Sequence, residues 1–240
     1  MAQPPRVIAV VGMASEARII GGDGVAIVVG GGDSAGLQRK LEAMLDAYSP
    51  FLLSFGVCGA LSSELKAGDL VVGAAVVCGV DRWPTDPAWA GRLASALPSA
   101  RLADIAAGDM MIASVAEKVA LNKSTGAAAV DMESHIVARL AERYALPFAV
   151  VRAVSDAADH TLPPAALAGL KPDGSADVFA VLRSLAAQPG QLVGLIRTAR
   201  DAGAAFQALK KSVEAVRGAT LASMPPLAPH GRPTAPDSGP

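Results

Sequence analysis

Four stretches of this chain, Val7 to Val11, Val25 to Val29, Phe51 to Gly56 and Leu70 to Val77, are short apolar runs bounded by glycine instead of alternating with polar residues. A strand with one wetted face alternates, so a run that is apolar on both parities belongs to a strand covered on both sides. Runs at Met111 to Ala113 and Phe148 to Ala153 extend the pattern. Helical spacing occupies Ser34 to Ala47, Ile136 to Tyr144 and a long C-terminal stretch from about Ala176 to Arg217. The expectation is an α/β fold in a single domain, with a central mixed β-sheet flanked by helices.

Composition agrees with a large core, because 52% of residues are hydrophobic and only 18% are charged. The domain is expected over residues 1–222, and the Pro-rich residues 223–240 read as a disordered tail. Residues 80–107 carry Trp83 and Trp89 among Pro84, Pro87 and Pro98, and their weak periodicity predicts an irregular excursion between strands. A net charge of -1 argues against nucleic acid and anionic membrane as partners, leaving at most peripheral membrane contact. Cys58 and Cys78 are the only cysteines, too few for a disulfide framework or a structural zinc site, which points to a cytoplasmic setting. The first apolar run meets Glu16 and Arg18 with no cleavage-site pattern, and the run from Leu70 to Val80 is too short to span a bilayer.

Three readings compete for Gly30 to Gly36, GGGDSAG. Gly32 to Gly36 matches the G-x-S-x-G elbow of serine hydrolases, with Ser34 as nucleophile and His135, His160 or His230 as base. Only about one strand and a turn precede it, leaving no earlier loop to build an oxyanion hole. Gly30, Gly32 and Ala35 give a degenerate dinucleotide fingerprint, but the next strand ends FLLSFGVCG without the acid that would hold a ribose. The third reading is a tight strand-to-helix turn capped by Asp33 or Ser34.

Three acids stand where a core element should not tolerate charge: Glu16 after the first strand, Glu133 in AVDMESH and Asp156 in VVRAVSDAAD. Any of them can be a cap or a solvated residue. Asp156 is the most pointed, since Ser-Asp at the carboxyl end of an apolar strand faces the usual ligand crevice of an α/β sheet.

VVGMASEAR, SFGVCGAL with LKAGDLVV, GDMMI, AAVDMESHIVA and PFAVVRAVSDAAD follow one another in an order and spacing that resembles the nucleoside phosphorylase/nucleosidase superfamily, in its methylthioadenosine nucleosidase branch. ESHIVARLAERYALPF, the short middle and LPPAALAGLKPDG look most like the hopanoid-associated phosphorylase of that family, an adenosylhopane-cleaving enzyme. The resemblance implies a nucleoside phosphorylase-like fold, no cofactor or metal, and a homo-oligomer, dimer or larger. It implies that Asp156 delivers a proton to purine N7 with Ser155 orienting it, that Glu133 holds the ribose hydroxyls over Met132, and that Glu16 binds the attacking water. Met111 takes the place of a base-stacking aromatic, the backbone of Ile112 faces the adenine edge, and Cys58 and Gly59 approach ribose and base.

Breaking a purine N-ribosidic bond builds positive charge on the sugar and negative charge on the base, so an acid at the base and carboxylates near the sugar suit it. Asp156 would have to keep a proton near neutral pH, which burial and neighbouring carboxylates favour. Phosphorylases of the family hold phosphate with an Arg and a Ser where this chain has Ser54 and Val57, so water is the expected acceptor unless Arg18, Arg152 or Ser34 compensates; Arg152 reads as structural. Trp83, Trp89, Pro84 and Pro87 either wall the 5′ group of the substrate or anchor a loop to the core. The alternatives carried forward are a methylthioadenosine/adenosylhomocysteine nucleosidase, a noncatalytic adenosine-binding module and the serine esterase built on GDSAG.

Overall fold

The structure is a computed structural model that describes residues 5–46, 50–168 and 178–221. Its elements run β1 (Val7–Val11), α1 (Ala14–Ile20), β2 (Val25–Val29), α2 (Ser34–Leu45), β3 (Phe51–Ala60), β4 (Leu70–Cys78), β5 (Asp81–Pro84), α3 (Pro87–Ala96) and β6 (Arg101–Ala107). They continue as α4 (Val115–Thr125), β7 (Ala129–Asp131), α5 (Ser134–Arg143), β8 (Phe148–Asp156), α6 (Pro164–Ala168), α7 (Val178–Ala187), a 3-10 turn and α8 (Leu192–Leu221). Among the described residues this is one α/β domain with a mixed eight-stranded sheet flanked by helices.

The strands lie in the order β2-β1-β3-β7-β6-β4-β5, and β8 pairs with both β3 and β4. Strands β3, β8, β4, β6 and β7 therefore form a closed ring of pairings, with β1 and β2 extending from β3 and β5 hanging on β4. Strand β1 shows why both parities are apolar. Ile8 and Val10 pack into one core with Leu37 and Leu41 of α2 and Ile136 and Leu140 of α5. Val7, Ala9 and Val11 point the other way, against Ile20 of α1, Trp89 and Leu93 of α3, and Leu209 and Val216 of α8.

Two expectations need correction. Residues 80–107 are regular: β5, α3 and β6 account for most of them, with α3 started by Asp86, whose carboxylate accepts from Trp89 N at 2.7 Å, and by Pro87 inside its first turn. Proline here begins a helix instead of breaking order. The run Met111 to Ala113 is not a strand, because β6 ends at Ala107 and the chain leaves the sheet at Gly108 as an irregular loop. Residues 223–240, the expected tail, lie outside the described residues, as do Ala47 and Ala176 at the edges of two expected helices. Among the described residues, no helix is long and apolar enough to cross a membrane.

Candidate active site

All nine residues singled out from the sequence, Glu16, Cys58, Gly59, Met111, Ile112, Met132, Glu133, Ser155 and Asp156, line one cavity of about 680 Å3. It opens beyond the carboxyl ends of β1, β3 and β8, where α/β sheets leave room for ligands.

Glu16 sits in the first turn of α1 and is held at both carboxylate oxygens: Oε2 accepts from Met13 N and Oε1 from Val57 N, each at 2.8 Å. The approach of β3 depends on Gly56, whose φ is +156° and where a Cβ would lie 2.5 Å from Glu16 Oε1 and 2.8 Å from Arg152 Nη1. Burial pushes the Glu16 carboxyl above its ordinary range, against the pull of Arg152 and of the backbone N–H groups.

Glu133 stands at the N-cap of α5, presented by a turn that Asp131 ties down: Asp131 Oδ1 accepts from Glu133 N at 3.2 Å and Ser134 N at 2.9 Å, and Oδ2 bonds the Ser134 hydroxyl. Its Oε2 lies 3.3 Å from Arg152 Nη1. Burial raises the Glu133 carboxyl to about 7, opposed by Arg152 and reinforced by Asp131 and Glu16.

Arg152, buried in the middle of β8, is the hub of these acids. Its Nε lies 2.7 Å from Asp131 Oδ2, Nη2 donates to Ser54 Oγ at 2.6 Å, and Nη1 donates to the Val57 carbonyl at 3.3 Å. Burial alone would disfavour the guanidinium's charge, but Asp131, Glu133 and Glu16 outweigh it and hold the group above its usual range. In this arrangement Arg152 is a counter-charge shared by three carboxylates. Asp131, inside the quoted motif but assigned nothing, is the residue that fixes both Arg152 and the start of α5.

Asp156 closes β8. A bulge there pairs Cys58 with Val154 and Gly59 with Asp156, skipping Ser155. Neighbouring strand side chains normally face opposite ways, and the bulge lets both Ser155 and Asp156 reach the cavity. Ser155 Oγ is 2.8 Å from Asp156 Oδ1 and 3.1 Å from the Cys58 carbonyl oxygen. A Cβ on Gly59 would come within 3.0 Å of Asp156 Oδ2, so glycine is what permits this closeness. Carboxylates were expected beside Asp156, but its nearest charge is the ammonium of Lys118, 2.5 Å from Oδ2 and fully buried on α4. Neither Lys118 nor the helix carrying it was singled out from the sequence, although the helix has marked ends: Ser114 and Glu117 form a capping box and Gly126 closes the other end with φ +70°.

Burial pushes the Cys58 thiol up, so it serves as a small wall residue. Met111 is about one-third exposed and Met110 mostly exposed, both in the loop after Gly108. Asp109 anchors that loop: its carboxylate lies 3.0 Å from His135 Nε2 and bonds the Ser34 hydroxyl, contacts that hold its carboxyl below the usual range. The acid thus stands between Ser34 and His135, which is the wrong order for a serine nucleophile and its base, and the GGGDSAG segment is a turn whose Asp33 caps α2 through Gly36 N at 2.9 Å.

The wall contributed by the C-terminal half is mostly apolar: Leu162, Ala166 of α6, Val181 of α7, and Ala199, Ala202 and Phe206 of α8, with Thr198 as its polar member. The two tryptophans do not contribute. Trp89 is wholly buried against Phe51, rings 5.5 Å apart and edge-on, with its Nε1 donating to Thr220 Oγ1 at 3.2 Å, while Trp83 Nε1 donates to Glu142 Oε2 at 2.7 Å. They are anchors. Arg18 lines the cavity from the exposed side of α1. Among the described residues no group of His, Cys, Asp and Glu is arranged to hold a metal ion.

The fold is similar to that of several solved nucleoside-cleaving enzymes. A futalosine hydrolase mutant of Helicobacter pylori superposes with a TM-score of 0.61 at 18% identity, covering 87% of this chain and 98% of that one. The 5′-methylthioadenosine/S-adenosylhomocysteine nucleosidase of the same organism gives 0.59 at 17% identity, covering 87% and 97%. An S-adenosylhomocysteine nucleosidase from Streptococcus pyogenes gives 0.57 at 17%, covering 85% and 96%. No curated protein matches the chain. The family model of the phosphorylase superfamily matches residues 16–187, a span that holds every one of the acids above, and the chain belongs to that superfamily.

Proposed function

We propose that this protein cleaves the N-glycosidic bond of a 5′-modified adenosine, releasing adenine, with adenosylhopane of hopanoid biosynthesis as the substrate and water as the acceptor. The observation that carries the reading is the convergence of Glu16, Glu133 and Asp156 on one cavity whose C-terminal wall is mostly apolar. Asp156, fixed by Ser155 and Lys118, protonates the departing purine at N7. Glu133 accepts from the ribose hydroxyls, and its negative charge with that of Glu16 stabilises the cationic sugar as the bond breaks. Glu16 orients the water that attacks C1′ and takes its proton.

Water suits the acceptor position better than phosphate for an electrostatic reason. The backbone N–H groups of Met13 and Val57, which would cradle an anion, are already taken by Glu16. Asp131, Glu133 and Glu16 share a single guanidinium, so a phosphate dianion entering beside them meets uncompensated negative charge. Ser54, at a phosphate-binding place of the family, is fully buried and occupied by Arg152 and Ser134. The apolar wall from Leu162, Val181, Ala202 and Phe206 supports a hydrocarbon 5′ group over a small polar one.

The test is incubation with adenosylhopane over a phosphate titration, with mass analysis of the sugar product. Free ribosylhopane in phosphate-free buffer is expected, and Asp156→Asn should lower adenine release on the order of 100-fold or more. Strict phosphate dependence with a ribose 1-phosphate product would make the enzyme a phosphorylase. Turnover of methylthioadenosine or adenosylhomocysteine in preference to adenosylhopane would replace the substrate by the smaller nucleosides, and adenosine binding without turnover would leave a binding module.

A further inference from the structure

Lys118 is a charged side chain with no exposed surface, and the mechanism above uses it only as a neighbour. Its Nζ is 2.5 Å from Asp156 Oδ2, 2.8 Å from the Ala157 carbonyl oxygen and 2.9 Å from the His160 carbonyl oxygen. An ammonium has three N–H donors and no acceptor, and here each donor has its own oxygen. A fully buried cation costs too much to keep for packing alone unless it is paired, and the partner is the acid that faces the base. Two of the three bonds also pin the turn after β8, which leads to Leu162 in the cavity wall.

We propose that Lys118 is a positioning residue that works through Asp156 and supplies the proton which Asp156 passes to the leaving purine. The inference rests on the nucleosidase reading. Asp156 enters the reaction paired with the ammonium, as a carboxylate, and a carboxylate has no proton to give. The proton moves from Nζ to Oδ2: an N–H bond breaks, an O–H bond forms, and a neutral amine remains beside a carboxylic acid. Their hydrogen bond survives with its donor reversed. As the electron pair of the C1′–N9 bond moves into the purine, the Oδ2–H bond breaks and the N7–H bond forms. Oδ2 is placed for both steps, since it is 2.5 Å from Nζ and a Cβ on Gly59, a residue that lines the cavity, would lie 3.0 Å from it. The attacking water gives up one proton for each that the base takes, and its return to the amine through water restores the starting charges.

The test is a double-mutant cycle on adenine release from an adenosine carrying an apolar 5′ thioether, with wild type, Lys118→Met, Asp156→Asn and the double variant. The expected result is a fall in kcat for Lys118→Met on the order of 100-fold, with KM changed less than about threefold. The double variant is expected to be no slower than Asp156→Asn, because both substitutions remove one acid. A Lys118→Met enzyme with near-wild-type kcat, or losses that multiply in the double variant, overturns the proposal. The double variant leaves no orphaned buried charge, so its comparison with Asp156→Asn decides the matter even if Lys118→Met does not fold. A wild type that releases no adenine from any 5′-substituted adenosine overturns the nucleosidase reading itself and this inference with it, an outcome distinct from a working wild type with an indifferent Lys118.

Discussion

At the scale of single residues, charge placement governs the site. Glu133, raised to about 7 by burial, must be ionised to accept from ribose hydroxyls and to face a cationic sugar. Activity should therefore rise with pH through about 7, and Glu133→Gln should lose about 100-fold in kcat and abolish that limb, checked by kcat/KM over a pH series. The same shift has a stability consequence of definite sign. Between the unfolded value of 4.5 and the folded value of about 7 the native state holds more protons than the unfolded state. The contribution is complete below the lower value and is lost as pH rises through the upper one. The urea midpoint of the wild type should decline over this window, and Glu133→Gln should flatten the decline.

At the scale of elements, the site depends on irregularities in two adjacent strands. The bulge at Ser155 turns two successive side chains toward one cavity, and Gly56 lets β3 approach both Glu16 and Arg152. A methyl group at Gly56 meets a carboxylate and a guanidinium that cannot both retreat, and the backbone there has positive φ. Gly56→Ala should destabilise by about 1–3 kcal/mol and lower kcat together with the midpoint. Unchanged values in chemical denaturation and turnover would show that Glu16 can move without penalty. Gly56 and the Ser155 bulge were not legible as such, since an apolar run reads the same with or without a register shift. The caps of α3 and α4 were written in Asp86 with Pro87 and in Ser114 with Glu117, yet neither segment was read as a helix, and for α3 weak periodicity masked it.

At the scale of the molecule, α8 serves two purposes along one axis. Its C-terminal half packs Leu209 and Val216 into the core under Trp89, while Ala199, Ala202 and Phe206 nearer its start wall the cavity. Trp89→Ala should cost about 3–5 kcal/mol, because it removes a wholly buried indole that joins α3, β3 and α8, and a urea midpoint would measure it. Ala202→Trp should fill part of the wall, raising KM at least tenfold for a substrate with a bulky apolar 5′ group and much less for methylthioadenosine. Equal effects on both substrates would place the 5′ group elsewhere.

The α/β class and both-face burial of the strands were readable from one dimension, because hydrophobic parity is a local property of the chain, and the nine cavity residues followed from the family resemblance of short motifs. Strand runs at Val7 to Val11 and Val25 to Val29 match β1 and β2 residue for residue. What folding alone decided is pairing at a distance. Lys118 meets Asp156 across 38 positions, Ser54 meets Arg152 across 98, and Trp89 meets Thr220 across 131. A lone Lys in a helix pattern carries no mark that it will be buried. Its partner is chosen by the closed ring of strands, which brings the end of β8 beneath α4, and the cost of an unpaired charge in that dry interior then requires the two to meet.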